Sequence, residues 1–304
     1  MPAHHTMRWI DTHCHLDAHE FGAGAQQQRE LAATQGVVHC VLPSICVNNF
    51  EAVRTLAYRH LDSYCLGITP MNVPYAAEDA LERLTSTLQQ QHEDPRLMAI
   101  GEIGLDFFVP ELCKSPMRER QQEFFRAQLK LARKYDLPVV VHSRRAVDPI
   151  LKMMREVAGP GGRWRGVVHA FNGSLQQAQA LIQLGLRVGF GGAVTYERAK
   201  QLRSLAVDLP LTAIVLETDA PDMPPRWLYK SAEQRAAGEP QGINSPAELP
   251  RIGAELAALR GISVEALAAA TTQNALDAFP RLAALLSADR ALDAARHPTE
   301  TTSS

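Results

Sequence analysis

The 304-residue sequence predicts a single (β/α)8 barrel. Three observations point there. Eight short apolar runs alternate with helical patterns along the chain. Several runs, such as Val139-Val140-Val141, are apolar at every position, as expected of parallel strands buried on both faces. The apolar content, 46%, is sufficient for one large core.

In chain order the predicted strands are 8–11, 37–42, 63–68, 98–100, 138–141, 166–168, 187–190 and 214–216. The clearest helical pattern is 117–135, where Phe124, Phe125, Leu129 and Leu131 recur among charges and Leu137-Pro138 marks the stop. A second runs over 174–184, with Ser174 as N-cap and Gly185 where the helix ends. Residues 221–245 are rich in Pro, Gly and charge and read as a long loop after the last strand, a frequent place for function. Residues 1–287 form the barrel domain on this reading. The tail, 288–304, loses apolar periodicity and is expected to lack fixed structure.

Composition narrows the function classes. The formal net charge is −2, so bulk positive charge does not hold this chain on nucleic acid. The basic cluster Lys114, Arg118, Arg120, Arg126, Lys130, Arg133 and Lys134 reads as a solvated helix face. Five cysteines without a C-x-x-C pair read as reduced thiols in a cytoplasmic protein. No signal peptide or membrane-spanning run is visible, and a monomer is expected.

In such a barrel, catalytic side chains sit where strands end. Asp11-Thr12-His13-Cys14-His15 follows the first run, Glu102 the fourth, His142 the fifth, His169 the sixth, and Glu217-Thr218-Asp219 the eighth. Residues i and i+2 of an extended stretch point the same way, so His13 and His15 can face one ion. Burying this many ionisable groups together is costly without a cation. Six residues suit two divalent ions (Zn, Mg or Mn) sharing a carboxylate. His13, His15 and Asp219 would hold one, His142 and His169 the other, with Glu102 between them. Such ions lower the pKa of a water toward neutrality, and Asp219 is the candidate general base.

Each residue also has a structural reading. Glu102 alone could equally be a buried salt-bridge partner. Asp11 reads as an acceptor that fixes a histidine tautomer rather than as a ligand. His39, at mid-strand, reads as structural, and His4, His5, His19, His60, His92 and His297 as solvated. Gly189–Gly192 reads as a strand-end turn. No nucleophile elbow, Walker loop or dinucleotide fingerprint is present.

The stretches Asp11-Thr12-His13-Cys14-His15-Leu16-Asp17, Gly101-Glu102-Ile103-Gly104-Leu105-Asp106, Val141-His142-Ser143-Arg144, His169-Ala170-Phe171-Asn172-Gly173-Ser174 and Glu217-Thr218-Asp219-Ala220-Pro221, in this order and with Asn274-Ala275, resemble the TatD family of metal-dependent hydrolases. The resemblance spans 8–280. It implies a TIM barrel of the amidohydrolase-like superfamily, the ligand roles given above, and a DNase, often a 3′→5′ exonuclease, using divalent ions. Phe107-Phe108 departs from the family, which more often has Tyr or His there. Arg144 is placed to contact a substrate phosphate, or to be a salt-bridged rim arginine. The competing activity is an amidohydrolase, esterase or deacylase acting on a small C–N or ester bond. That class often uses a carboxylated Lys as bridge, and here Glu102 takes the place. A silent metal-binding protein would be expected to have lost ligands.

Overall fold

Eight parallel strands pair with their neighbours in chain order: β1 (Trp9–Asp11), β2 (Val37–Pro43), β3 (Ser63–Leu66), β4 (Leu97–Asp106), β5 (Val139–Arg144), β6 (Gly166–Val168), β7 (Arg187–Phe190) and β8 (Ile214–Leu216). The computed structural model describes residues 7–240 and 242–296. Thr12 N donates to Leu216 O at 3.1 Å and Asp219 N to His13 O at 2.9 Å, which brings the end of β8 beside the end of β1. The chain therefore forms the predicted TIM barrel, nearly closed.

Helices cover the outside: α1 (Ala25–Thr34), α2 (Phe50–His60), α3 (Ala80–Gln91), α4 (Met117–Lys134), α5 (Val147–Ala158), α6 (Leu175–Gln183) and α7 (Lys200–Asp208), followed by α8 (Ala232–Ala236), α9 (Leu249–Arg260), α10 (Val264–Ala278) and α11 (Leu282–Arg296). α6 starts as predicted: Ser174 Oγ accepts from Gln177 N, and the Gln177 side chain accepts from Ser174 N. Gly185 ends that segment at φ +102°, a conformation open to glycine.

Two strands run further than the apolar runs suggested. β4 and β5 stay paired through Gly104↔His142 to Asp106↔Arg144, so Glu102 and His142 sit within strands rather than after them. A rule that ends a strand at its first polar residue fails here, because the polar side chains point into the mouth of the barrel.

The core has two layers. Trp9, Leu42, Leu66, Ile100, Val141 and Leu216 pack outward against the helices. Ile10, Val41, Met98, Val140, Val167 and Val215 pack inward, with Phe279, Leu282, Leu285 and Leu286 closing the layer from below. Fully burying one such side chain contributes about 1.5–3 kcal/mol.

α11 thus plugs the end where the strands begin, and this corrects the expectation for the tail. The helix carries past Ala288, and Asp289 pairs with the buried Arg96 just ahead of β4. Residues 297–304 lie outside the described residues, as do His4, His5 and His297. Among its described residues the 221–245 segment is irregular apart from the short α8. The basic cluster is an exposed face as expected, with Lys114, Arg118, Lys130, Arg133 and Lys134 exposed. Arg118 stacks on Phe107 at 4.1 Å, Arg133 stacks on Trp164 at 4.2 Å, and Arg126 pairs with Glu156.

Candidate metal centre

The first two histidines are aimed by strand alternation and stitched to β8. His13 and His15 lie on one side of the chain, with Nε2 atoms 3.1 Å apart, while Cys14 between them is buried on the other side. His15 N donates to Ala220 O at 2.8 Å. Asp219 sits at φ +55°, a backbone strain held by its bond to His13 O. Its Oδ1 lies 3.3 Å from His13 Nε2 and 3.6 Å from His15 Nε2.

Glu102 reaches this group from β4. The pairing of β4 with β5 shifts register between Ile100 and Ile103, which re-aims the intervening side chain. A Cβ on Gly101 would come within 2.6 Å of Val140 Cβ, so the backbone approach needs glycine. Glu102 Oε2 lies 3.7 Å from His13 Nε2 and 3.6 Å from His15 Nε2. Its Oε1 lies 2.9 Å from both His142 Nδ1 and His169 Nε2. All six sequence-predicted residues therefore converge, and one oxygen of Glu102 faces each histidine pair.

Electrostatics follow from burial and close neighbours. Burial, reinforced by His169, holds His13 well below the usual imidazole range, so its lone pair is available. Burial disfavours the Glu102 anion, but His169 and His142 outweigh it and hold the carboxyl well below its ordinary range. Burial pushes Asp219 up to about 7, opposed by His15. Four ring nitrogens and two carboxylates aimed at one another are the donor chemistry of a divalent-ion site. In two triads, His13–His15–Asp219 and His13–Glu102–His169, the ligand atoms lie within 4.8 Å of one another. The residues present fit divalent ions.

Asp106 is a functional candidate that sequence reasoning left without a role. Its Oδ2 lies 3.1 Å from His142 Nε2, and its Oδ1 accepts from Phe108 N and Val109 N. His142 thus turns Nδ1 toward Glu102, whereas His13, His15 and His169 present Nε2. Asp106 and Glu102 together push His142 up to about 9 against burial. Asn244, in the long loop, is a second: its Nδ2 donates to Thr218 O and Asp222 O, pinning that loop beside Asp219. Glu217 is buried and accepts from Ala170 N, bracing the residue after His169.

Asp11 takes a different role from the one expected. It accepts from His13 N, Thr218 N and Thr218 Oγ1, so it clasps the chain where β1 and β8 end and, among the described residues, bonds no histidine ring. His39 is structural as expected, its Nε2 2.9 Å from Ser63 Oγ. His19 is solvated, but His60 and His92 are half-buried, and His92 packs on Tyr135.

The sequence profile described as TatD related DNase matches residues 10–280. The chain belongs to the TatD family. It is 38% identical over 273 residues to the uncharacterized metal-dependent hydrolase YjjV of Escherichia coli K12, spanning 90% of this chain and 98% of that one. It is 34% identical over 287 residues to the human deoxyribonuclease TATDN3, spanning 91% and 96%. The crystal structure of the E. coli TatD homologue YjjV superposes with a TM-score of 0.79 at 36% identity, over 90% of this chain and 99% of that one. This TatD chain is a metal-dependent hydrolase.

The TatD site opens into a cavity of about 1030 Å³ lined by His15, Glu102, His142, His169 and Asp219, with Phe108 and Arg144 at its edge. Arg144 is exposed and, among the described residues, has no carboxylate within salt-bridge reach. Its guanidinium instead lies 3.7 Å from the Phe108 ring. Among the described residues no helix is long and apolar enough to cross a membrane.

Proposed function

We propose that this chain is a two-metal phosphodiesterase that hydrolyses DNA as a 3′→5′ exonuclease. His13, His15 and Asp219 would hold one ion and His142 and His169 the other, with Glu102 serving both. The observation that carries this reading is Glu102, whose two oxygens divide between the two histidine pairs at 3.6–3.7 Å and 2.9 Å. Ions there supply Lewis acidity, lowering the pKa of a water and neutralising charge on a phosphoryl oxygen.

The chain's own groups do the rest. Asp219, its carboxylate beside His13 and His15, is the general base that accepts the water's proton. Its backbone bond to His13 O keeps that carboxylate beside the first histidine pair. Arg144 contacts a substrate phosphate. The five free cysteines fit a reducing compartment, hence the cytoplasm. The name of the TATDN3 relative supports DNA as substrate.

The test is purified protein with Mg²⁺, Mn²⁺ or Zn²⁺ against single-stranded DNA, bis-p-nitrophenyl phosphate and an ester panel. Cleavage of 3′ ends, abolished by Asp219→Asn, is the expected result. Robust ester turnover without phosphodiester cleavage would overturn it.

A further inference from the structure

Two aromatic–arginine clusters flank the cavity, and the chemistry above uses neither as a unit. The first joins the ends of β4 and β5. Arg144 and Arg145 lie 3.7 Å and 4.6 Å from the centre of the Phe108 ring. The second joins the segments after β7 and β8. Tyr196 and Tyr229 meet edge to face at 6.0 Å, and Arg198 lies 5.3 Å and 5.8 Å from their rings. This second cluster lines a smaller cavity of about 400 Å³ that shares Ala193 and Met223 with the lining of the main one.

Three features set these clusters apart from ordinary packing. Phe108 and Tyr229 are 42% and 41% exposed, although both carry large apolar rings. Among the described residues, the guanidinium groups of Arg144, Arg145 and Arg198 have no carboxylate within 4.0 Å and no hydrogen-bond partner. Some other surface arginines are neutralised, such as Arg126 by Glu156, Arg165 by Asp136 and Arg226 by Glu255, while Arg59, Arg83 and Arg155, among the described residues, are not, so the distinguishing feature is the free charge beside an exposed ring at the cavity. Finally, Tyr196 is fixed, its hydroxyl donating to Pro224 O at 2.8 Å, so it backs Tyr229 as a rigid wall.

Exposed rings paired with unneutralised guanidinium groups are what unpaired nucleotides require. Bases stack on aromatic faces and guanidinium planes, and phosphates take the charge. A local charge of this kind also explains how a chain of net charge −2 would hold a polyanion. We propose that the two clusters are stacking platforms for unpaired nucleobases. A single strand then crosses the cavity mouth with one base on Phe108 and another on Tyr229, its backbone toward Arg144, Arg145 and Arg198. Inside a duplex both faces of a base are covered by its stacked neighbours, so a duplex offers these rings at most its terminal pairs and binds more weakly than a single strand. This proposal rests on the nuclease reading and deepens it.

Binding, measured apart from cleavage, tests it. The probe is a labelled eight-nucleotide phosphorothioate oligothymidylate, which resists hydrolysis, titrated into the metal-loaded protein and followed by fluorescence anisotropy. Phe108→Ala and Tyr229→Ala should each weaken binding about tenfold, the loss expected for one stacked base. Phe108→Tyr keeps the ring and should retain wild-type affinity. Arg144→Gln and Arg198→Gln should each flatten the salt dependence of log Kd by about 0.7. A hairpin duplex of the same length should bind at least about tenfold more weakly. Wild-type affinity in both alanine variants, with melting temperatures unchanged, overturns the platforms, as does duplex binding as tight as the single strand. A wild-type protein that binds the strand but does not cleave unmodified DNA sinks the nuclease reading and leaves the platforms standing. Cleavage with binding unaltered in the variants does the reverse.

Discussion

Asp106 stands behind His142, its Oδ2 3.1 Å from the ring Nε2. Glu102 presents a carboxylate oxygen to the other ring nitrogen, Nδ1, at 2.9 Å, and the two carboxylates together favour the charged ring; an ion at the site would need the neutral ring, with its proton on Nε2 toward Asp106 and Nδ1 left free. Asp106→Asn removes the charge that favours this tautomer and ring basicity. Metal affinity should fall about 10–100-fold while the fold is retained. Titration of the apo-protein with Zn²⁺ or Mn²⁺, beside a circular-dichroism melt, checks this, and unchanged metal affinity refutes it.

Glu102 touches both histidine pairs, so its loss should be felt at both. Glu102→Gln keeps the size but turns one oxygen into a donor facing imidazole nitrogens. Bound metal, measured by elemental analysis, should fall to less than half of the wild-type content. Hydrolysis should drop by about 100-fold or more if, as proposed, two ions act as a unit across Glu102. Chelation of the wild type should reproduce that loss, and re-addition of the ion should reverse it only in the wild type.

Asp289 tests the role of α11. Its carboxylate neutralises Arg96, which is 5% exposed, and Asp289→Ala leaves that guanidinium buried and unpaired. The expected cost is about 3–5 kcal/mol of stability. Urea unfolding measures it. The double variant Arg96→Met with Asp289→Leu should recover most of the loss, since apolar replacements of a buried pair are often tolerated. Metal content should not change, because the pair lies at the opposite end of the barrel from the site.

His39 gives a pH signature. Burial, against the pull of Asp62, lowers its pKa from 6.5 to about 4. The unfolded chain then takes up a proton below about pH 6.5, while the folded chain resists until about pH 4. Stability conferred by the neutral ring is therefore lost as pH falls through that window, by roughly 3 kcal/mol at most. Urea midpoints between pH 7 and pH 4 should fall more steeply for the wild type than for His39→Gln. Parallel curves would show that His39 does not titrate differently on folding.

Much of the site was readable because barrel topology converts a local signal into a global one. A polar residue closing an apolar run lies at a strand's exit, and all eight exits share one end of the barrel. His13, His15, His169 and Asp219 needed nothing more, and alternation alone aimed His13 and His15 together. Glu102 and His142 were found by the same signal although their strands run on past them, since the barrel mouth lies in the same direction.

What the chain determined by itself was the alternation of elements, the helix caps at Ser174 and Gly185, and the set of polar side chains delivered to one rim. Only the tertiary structure decided how that rim works. Asp106 acts on His142 through the register of β4 against β5, and Asn244 reaches Thr218 from a loop without periodicity. Asp11 clasps Thr218 across the seam between the first and last strands. Asp289 meets Arg96 across 193 residues, in a stretch that loses apolar periodicity. Arg144 lies on an aromatic ring rather than on a carboxylate. These contacts join residues far apart in the chain through single hydrogen bonds, ion pairs or ring faces. Periodicity records which face a residue presents, but not which distant partner meets it there.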